Sequence, residues 1–143
     1  MAINIRTKGQ NFERKMAKKF NESFGLTCDR NLQQSINGGD DLIGVPFFSI
    51  ELKKHNTRSI GTWWKQCKAS ATSQNKMPVL IYEMPRAKPT VVMEVEAVRC
   101  VFGNMVDSMP KAPGRLFAGL LVEMSWDQFC VVFRHFVGPG MEA

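Results

Sequence analysis

The residues of this chain that could carry out chemistry lie in residues 38–43 (GGDDLI) and 47–54 (FFSIELKK), separated by a short gap. Successive side chains of an extended strand point to opposite faces, so Glu51 and Lys53 would share one face. Asp41 lies ten positions before Glu51, and a neighbouring hairpin strand would bring its carboxylate to the same point. Two carboxylates beside a lysine suit a hard divalent cation. The pattern therefore indicates metal-assisted phosphodiester cleavage.

This order of residues resembles the PD-(D/E)xK nuclease superfamily, with nine residues between Asp41 and the Glu-Leu-Lys run at residues 51–53. Two flanking segments, residues 30–35 (RNLQQS) and 63–66 (WWKQ), are similar to the small phage-type Holliday junction resolvases and related phage endonucleases. The resemblance covers roughly residues 10–98. It implies a mixed central β-sheet flanked by helices, the restriction-endonuclease-like core of the α/β class.

The metal-binding aspartate of the family has two candidates in this chain. Residues 37–40 (NGGD) replace the proline that nominally precedes the aspartate, which leaves Asp40 open as an alternative to Asp41. Asp41 directly precedes the apolar pair Leu42-Ile43, as the family's aspartate usually does. We therefore favour Asp41.

The resemblance also implies a role for each site residue. Asp41, Glu51 and the main-chain carbonyl of Leu52 would bind Mg²⁺, for which Mn²⁺ could substitute. Lys53 would orient the attacking water or help to deprotonate it. Gln66 matches in position a glutamine that often supports the site, and its alternative is an ordinary polar residue on a helix.

Glu13 is singled out by the helical pattern of residues 9–24. The apolar side chains of that segment recur at helical spacing and cover an arc of about 140°, counted at about 100° per residue from Phe12. Glu13 falls inside this arc, at about 100°, and a carboxylate there needs a cation or a metal-centred site. We expect Glu13 to bind the metal, a second ion or a water beside it. The alternative is an ion pair with a lysine at the edge of the stripe.

The net charge of +6 and the pI near 9.4 favour a polyanionic partner over charge that serves solubility alone. Basic residues crowd the amino end and the motif, and the resemblance adds three positions before the glycine pair. The predicted DNA contacts are Arg14, Lys15, Lys18, Arg30, Gln34, Ser35, Lys54 and Arg58.

Three aromatic residues near the motif have two interpretations each. His55 could contact phosphate or be an ordinary surface histidine. Trp63 and Trp64 could stack on bases. Neighbouring helical positions point about 100° apart, so at most one indole is expected to face outward and the other should be core.

The four cysteines form no Cys-x-x-Cys pair and lie at no metal-ligand spacing with histidine, so neither a zinc site nor a disulfide framework is expected. The amino terminus has no apolar signal region, and no window of eighteen apolar residues exists. We expect a cytoplasmic protein without membrane association, in the host cell if the chain is phage-encoded.

The chain length of 143 residues predicts one nuclease domain over residues 1–143, with a core at roughly 9–98 and a carboxy-terminal extension at 99–143. Gly25 should end the first helix, and Ser125 with Gln128 should form a capping box. The predicted elements are a helix at 9–24, a first strand within residues 26–35, a short second strand that begins at 41–43, a strand at 47–53, a helix capped by Thr62, strands at 79–82, 91–98 and 116–124, a loop at 109–114 and a final helix to Phe136.

Together these features predict a Mg²⁺-dependent, structure-specific DNA endonuclease that resolves four-way junctions as a homodimer, because two coordinated cuts need two symmetry-related sites. One alternative is a nuclease of the same fold that acts on other branched, nicked or single-stranded DNA. Another is a catalytically silent DNA-binding module. The intact acidic pair argues against the silent module, because a surface that only binds DNA gains nothing from carboxylates facing phosphates.

Overall fold

The structure is a computed structural model that describes residues 5–33, 40–101 and 119–137. Its elements in chain order are α1 (Ile5–Phe24), β1 (Asp29–Arg30), β2 (Leu42–Ile43), β3 (Phe48–Lys54), α2 (Ile60–Ser73), β4 (Met77–Glu83), β5 (Thr90–Glu94), α3 (Val95–Val101), β6 (Leu121–Ser125) and α4 (Trp126–Val137).

Four of the strands form a mixed sheet in the order β3-β4-β5-β6. β3 and β4 run parallel, so the chain must cross over between them, and α2 makes that crossover. The other two pairings are antiparallel. β1 and β2 form a separate antiparallel pair, with Arg30 opposite Leu42. β3 is therefore an edge strand of the main sheet, and its outer edge is available to other groups.

Helices cover both faces of the sheet. The larger core joins Phe48, Ile50 and Leu52 of β3 to the apolar sides of α1 and α4, with Ala97 and Val98 of α3 packed against it. The smaller core joins α2 to the opposite face of β4 and β5. The predicted α/β class, a mixed sheet flanked by helices, is confirmed.

The apolar stripe predicted for the first helix is buried as a unit against α4. Phe20 is fully buried and contacts Trp126, Phe129 and Phe133 with ring centroids 5.0–6.0 Å apart. The predicted capping box is also confirmed. The Ser125 N–H donates to Gln128 Oε1 at 2.9 Å, and the Gln128 N–H donates to Ser125 Oγ at 3.2 Å. Segment 121–137 thus completes both the sheet and the core.

One boundary prediction was wrong for a tertiary reason. Residues 91–98 are rich in valine and were expected to be one strand, but β5 ends at Glu94 and α3 begins at Val95. The partner strand β6 begins at Leu121, opposite Glu94, and among the described residues the ladder between β5 and β6 ends at this pair. Those residues gain more by packing on the core as a helix, because strand propensity depends on context.

The other differences concern element ends. α1 begins at Ile5 and not at residue 9, whereas the first strand, Asp29–Arg30, lies within the segment 26–35 that was predicted to contain it. α2 begins at Ile60, so its N-cap is Ser59, without a side-chain capping bond, and Thr62 is not the cap. The expected loop at 109–114 lies outside the described residues. No helix in the described ranges is long and apolar enough to cross a membrane.

Candidate active site

Asp41 is attached to the free edge of β3 by main-chain and side-chain hydrogen bonds. Its N–H donates to the Ile50 carbonyl at 2.8 Å, and its Oδ2 accepts from the Leu52 N–H at 2.6 Å. In a strand, the N–H and carbonyl of one residue point to the same edge. The Leu52 carbonyl therefore points to the edge where the Asp41 carboxylate lies.

Glu51 and Lys53 lie on the opposite face of β3 from the larger core, as the strand alternation predicts. Lys53 Nζ is 3.4 Å from Glu51 Oε1, and the Glu51 side chain is only 9% exposed. α2 covers this face, where the fully buried Cys67 lies beside Glu51. The structure thus brings Asp41, Glu51 and Lys53 together around residue 52 of one strand.

The charges in this site are not balanced. Burial, and next the Asp41 carboxylate, raise the pKa of Glu51 to about 7, although the Lys53 ammonium opposes the shift. A raised pKa means that the environment disfavours the ionised carboxylate. One lysine therefore does not compensate the negative charge at this point of the molecule.

Asp40 belongs to the same buried acidic region. It is 3% exposed, and its carboxylate contributes a smaller rise to the pKa of Glu51. Its Oδ2 has no hydrogen-bond partner among the described residues, and Lys76 Nζ lies 3.9 Å away. Both aspartates are thus close to Glu51, but Asp41 is the one whose carboxylate bonds to β3.

The donor set fits a divalent cation of the hard type. Within the described ranges, no group of three or more His, Cys, Asp or Glu side chains is placed to hold a metal. The site instead offers the carboxylates of Asp41 and Glu51 and the carbonyl of Leu52, all oxygen donors of the kind that Mg²⁺ prefers. The raised pKa of Glu51 and the unbonded Oδ2 of Asp40 both indicate negative charge that a cation would neutralise.

Glu13 makes an ion pair, but its partner is not a lysine. Arg30 Nε donates to Glu13 Oε2 at 2.8 Å, with both side chains less than 20% exposed. Arg30 pairs with Leu42 in the β1–β2 ladder, and the neighbouring Asn31 N–H donates to the Asp41 carbonyl at 2.9 Å. Glu13 is thereby linked through Arg30 to the backbone that holds Asp41, while its binding of metal or water stays a prediction.

The residues predicted from the second helix are less closely associated with the site. Gln66 is exposed, and its side chain makes no hydrogen bond to any described residue. Trp63 and Trp64 are both buried, at 5% and 9% exposure, so neither presents the outward indole that base stacking would need. Both indoles fit the smaller core. The exposed His55 stacks on Trp63 with ring centroids 5.3 Å apart.

A second charged cluster, which sequence patterns did not reveal, joins Lys15, Lys54 and Glu83. The two lysines donate to the two oxygens of Glu83 at 2.5 Å each, and Glu83 is 7% exposed. Burial alone would raise the pKa of Glu83, but the two lysines lower it below the ordinary value. The cluster opens into a cavity of about 310 Å³ that Lys8, Asn11 and Phe12 also line.

The contacts of Glu83 and Lys76 could not be predicted from the sequence, because their partners are distant in the chain. Lys15 is 68 positions from Glu83, and only its place on a basic helix drew attention. The sequence offers one indication, the alternation of side chains along β3. This alternation places Lys54 on the face that carries Leu52 and packs on α1, opposite to Lys53.

The remaining predicted DNA contacts are spread over the surface. Arg14 is exposed and donates to Asn11 Oδ1 at 3.0 Å, and the Lys18 side chain is 77% exposed. Arg58 is 54% exposed and pairs with Glu123 at 2.8 Å. Gln34 and Ser35 lie outside the described residues. The structure groups Lys15 with Lys54, whereas Arg58 is paired with Glu123 of β6.

The fold and the Asp41–Glu51–Lys53 arrangement are those of a PD-(D/E)xK nuclease. The model of the family described as "Phage putative PDDEXK endonuclease" matches residues 4–112, and the chain belongs to this family. Membership confirms the resemblance drawn from the motif. Nucleases of this kind generally depend on a divalent metal ion.

The chain is also similar to a solved structure. Hjc of Archaeoglobus fulgidus, a Holliday junction resolvase from an archaeal hyperthermophile, is 17% identical, with a TM-score of 0.44. The match covers 57% of this chain and 72% of Hjc. No curated protein matches the chain significantly.

Proposed function

We propose that this protein is a Mg²⁺-dependent, structure-specific DNA endonuclease that resolves four-way junctions as a homodimer in the host cytoplasm. The observation that carries the proposal is the geometry at β3. The Asp41 carboxylate and the Leu52 carbonyl lie at one edge of the strand, and Glu51 with Lys53 lies beside them. The oxygen atoms that could bind a cation and the Lys53 amine that could act on the attacking water are therefore close together.

Each residue has a defined task in phosphodiester hydrolysis. Asp41, Glu51 and the Leu52 carbonyl would hold the divalent ion, which supplies charge neutralisation and a more acidic water. Mn²⁺ offers similar coordination and should substitute. Lys53, 3.4 Å from Glu51, orients or deprotonates the attacking water and stabilises the developing negative charge.

The basic residues supply the surface for the DNA backbone. Lys8, Lys15 and Lys54 surround the cavity at Glu83, and the Glu83 carboxylate holds two of these ammonium groups in place. Ammonium groups that are already positioned lose less entropy on contacting phosphates. Lys18 extends this surface along α1.

The homodimer follows from the reaction proposed. Resolution of a junction needs two cuts on opposing strands, and two copies related by a twofold axis present two equivalent sites. We take residues 1–143 as a single nuclease domain in each copy.

The test is cleavage of end-labelled DNA of five kinds by the wild-type protein: a four-way junction, a flap, a nicked duplex, a linear duplex and a single strand. We expect paired cuts in the junction with Mg²⁺ or Mn²⁺, none with EDTA and none with Glu51→Gln. Cleavage that favours flaps or single strands would support another structure-specific nuclease of this fold. Tight binding without cleavage in either metal would indicate a silent DNA-binding module.

A further inference from the structure

Phe47 combines backbone strain with an exposed aromatic ring. Its φ angle is 66°, and the Phe48 N–H donates across it to the Pro46 carbonyl at 2.8 Å. A bond between residues i and i+2 with positive φ at the centre is the rare, strained form of the γ-turn. The side chain is bulky and aromatic, yet the residue is 59% exposed.

The surrounding structure holds this turn rigidly. The Phe47 carbonyl accepts the Met77 N–H at 2.9 Å, and the next residue, Phe48, is fully buried in the larger core. On the other side, Gly44 has φ 87°, and a Cβ there would lie 2.9 Å from the Thr27 carbonyl oxygen. The ring of Phe47 is therefore presented from a fixed backbone and not from a mobile loop.

Stability does not explain a phenylalanine at this position. Glycine or asparagine adopts positive φ with less strain, and an exposed ring gains little from the hydrophobic effect. Strain that a rigid frame maintains at an exposed residue points to a functional constraint. The most direct use of an exposed, fixed aromatic ring in a DNA-processing protein is stacking on a base.

We propose, on the basis of the nuclease function above, that Phe47 binds an unstacked nucleobase at the branch point of the DNA substrate. β3 begins at Phe48, directly after Phe47, and Phe48 precedes Glu51 by three residues of extended chain, or about 10 Å at 3.3 Å per residue. That distance is about three base-pair steps of 3.4 Å. A base bound there would fix the branch point relative to the scissile phosphate.

The charge near Phe47 favours nucleic acid as the partner. Lys76 directly precedes Met77, whose N–H bonds to Phe47, and the Lys76 side chain is 32% exposed. A second copy of the chain is the competing occupant, because Ile43 nearby in sequence is also 50% exposed. The net charge of +6 favours a polyanion as the occupant of this surface.

The experiment uses Phe47→Asn and Phe47→Trp in the full chain, each combined with Glu51→Gln so that binding is measured without cleavage. The probe is a four-way junction with 2-aminopurine at the branch point, compared with linear duplex. Phe47→Asn should weaken junction binding between about fivefold and 150-fold and abolish quenching of the probe. It should leave duplex binding within about twofold and raise the melting temperature, because asparagine tolerates positive φ. Phe47→Trp should retain binding and quenching.

The matched control is Val131→Asn, which removes a similarly exposed apolar residue, at 55%, from α4. It should change neither junction binding nor quenching. Unchanged junction affinity in Phe47→Asn would overturn the base-binding proposal while leaving the nuclease intact. A shift from dimer to monomer in light scattering would also overturn it and identify the second copy as the occupant. Failure of the wild-type protein to bind any branched DNA would overturn both proposals.

Discussion

Glu51 and Glu83 lie on adjacent parallel strands and are equally buried, at 7% exposure, yet their carboxyl groups behave in opposite ways. Burial and Asp41 raise the pKa of Glu51 to about 7, against a single lysine contact of 3.4 Å. Burial acts on Glu83 as well, but Lys15 and Lys54 lower its pKa below the ordinary value. Desolvation and the Asp41 carboxylate dominate at Glu51, whereas the two short lysine contacts outweigh desolvation at Glu83.

This contrast separates a structural carboxylate from one that is available for chemistry. The Glu83 oxygens are each occupied by an ammonium group of the same chain, so that site is complete without a ligand. Glu51 lies beside the Asp41 carboxylate and has only Lys53 to balance the negative charge. A divalent ion bound here would neutralise the remaining negative charge. The alternation of side chains along β3 explains why the two glutamates differ. Lys53 lies on the same face of β3 as Glu51, and Lys54 points to the other face, where it contacts Glu83.

The sharpest test of the contrast removes the proposed metal ligands. Asp41→Asn and Glu51→Gln should each lower the single-turnover cleavage rate by at least about a thousandfold, or about 4 kcal/mol, with DNA binding unchanged or slightly tighter. Asp40→Asn should have a far smaller effect. Wild-type rates in either ligand mutant would refute the site, and a larger effect for Asp40 than for Asp41 would exchange their roles.

Lys53→Ala should give the next largest effect. Loss of the amine beside Glu51 should slow single-turnover cleavage about a hundredfold with little change in affinity. The control is Lys18→Ala, whose exposed side chain should matter only for binding, with a salt-dependence slope reduced by about one. If both variants change affinity alone, Lys53 is a phosphate contact and has no role in the chemical step.

Local periodicity explains which of these features could be predicted from the sequence. The placement of Glu51 with Lys53 needs only the strand repeat, and the stripe of α1 needs only the helical repeat. The capping box at Ser125 is likewise local, with partners three residues apart. Each of these patterns depends only on residues that are close together in the chain, so each could be predicted correctly.

Features that depend on distant contacts could not be predicted in this way. Glu83 acquires its role from Lys15 and Lys54, which come from two other elements. The chain changes from strand to helix at Val95 because the partner strand β6 begins opposite Glu94. The start of β6 depends on residues far along the chain. The positive φ of Phe47 has no sequence signal, since phenylalanine is a poor residue for that conformation.

Glu83→Gln tests whether the role of Glu83 is structural. It removes the charge that fixes two lysines and should lower the free energy of unfolding by about 1–3 kcal/mol. The lower end of that range is expected, because the Lys15 side chain is 50% exposed and solvent screens its interaction. Cleavage at saturating protein should be unchanged. A large loss of cleavage rate in a folded Glu83→Gln protein would place Glu83 in the active site.

Glu13→Gln should have a smaller effect, on rate more than on stability. We expect single-turnover cleavage to fall at least about tenfold, corresponding to about 1.4 kcal/mol, if Glu13 acts at the site. A thermal melt measures the loss of the Arg30 contact separately. An unchanged rate would leave Glu13 as a structural partner of Arg30 and reduce the active set to Asp41, Glu51 and Lys53.

The dependence of metal binding on pH should give the smallest effect. The pKa of Glu51 is about 7 in the folded protein against an ordinary value of 4.5, so between these values the folded state binds more protons than the unfolded state. The Glu51 contribution to stability is therefore present at low pH and is lost as pH rises through 7. The lowered pKa of Glu83 gives the opposite sign, with stability lost as pH falls through its folded pKa.

Binding of Mg²⁺ should offset the loss of stability that ionisation of Glu51 causes, because the ion binds the ionised carboxylate. At pH 6, a group with a pKa of about 7 is ionised in about one molecule in ten, which weakens metal binding by at most about 1.4 kcal/mol. The rise in melting temperature on adding Mg²⁺ should thus be larger at pH 8 than at pH 6 by a few degrees, roughly 2–4 °C per kcal/mol. Glu51→Gln should remove this difference. Equal shifts at both pH values in the wild-type protein would mean that Glu51 does not control metal binding.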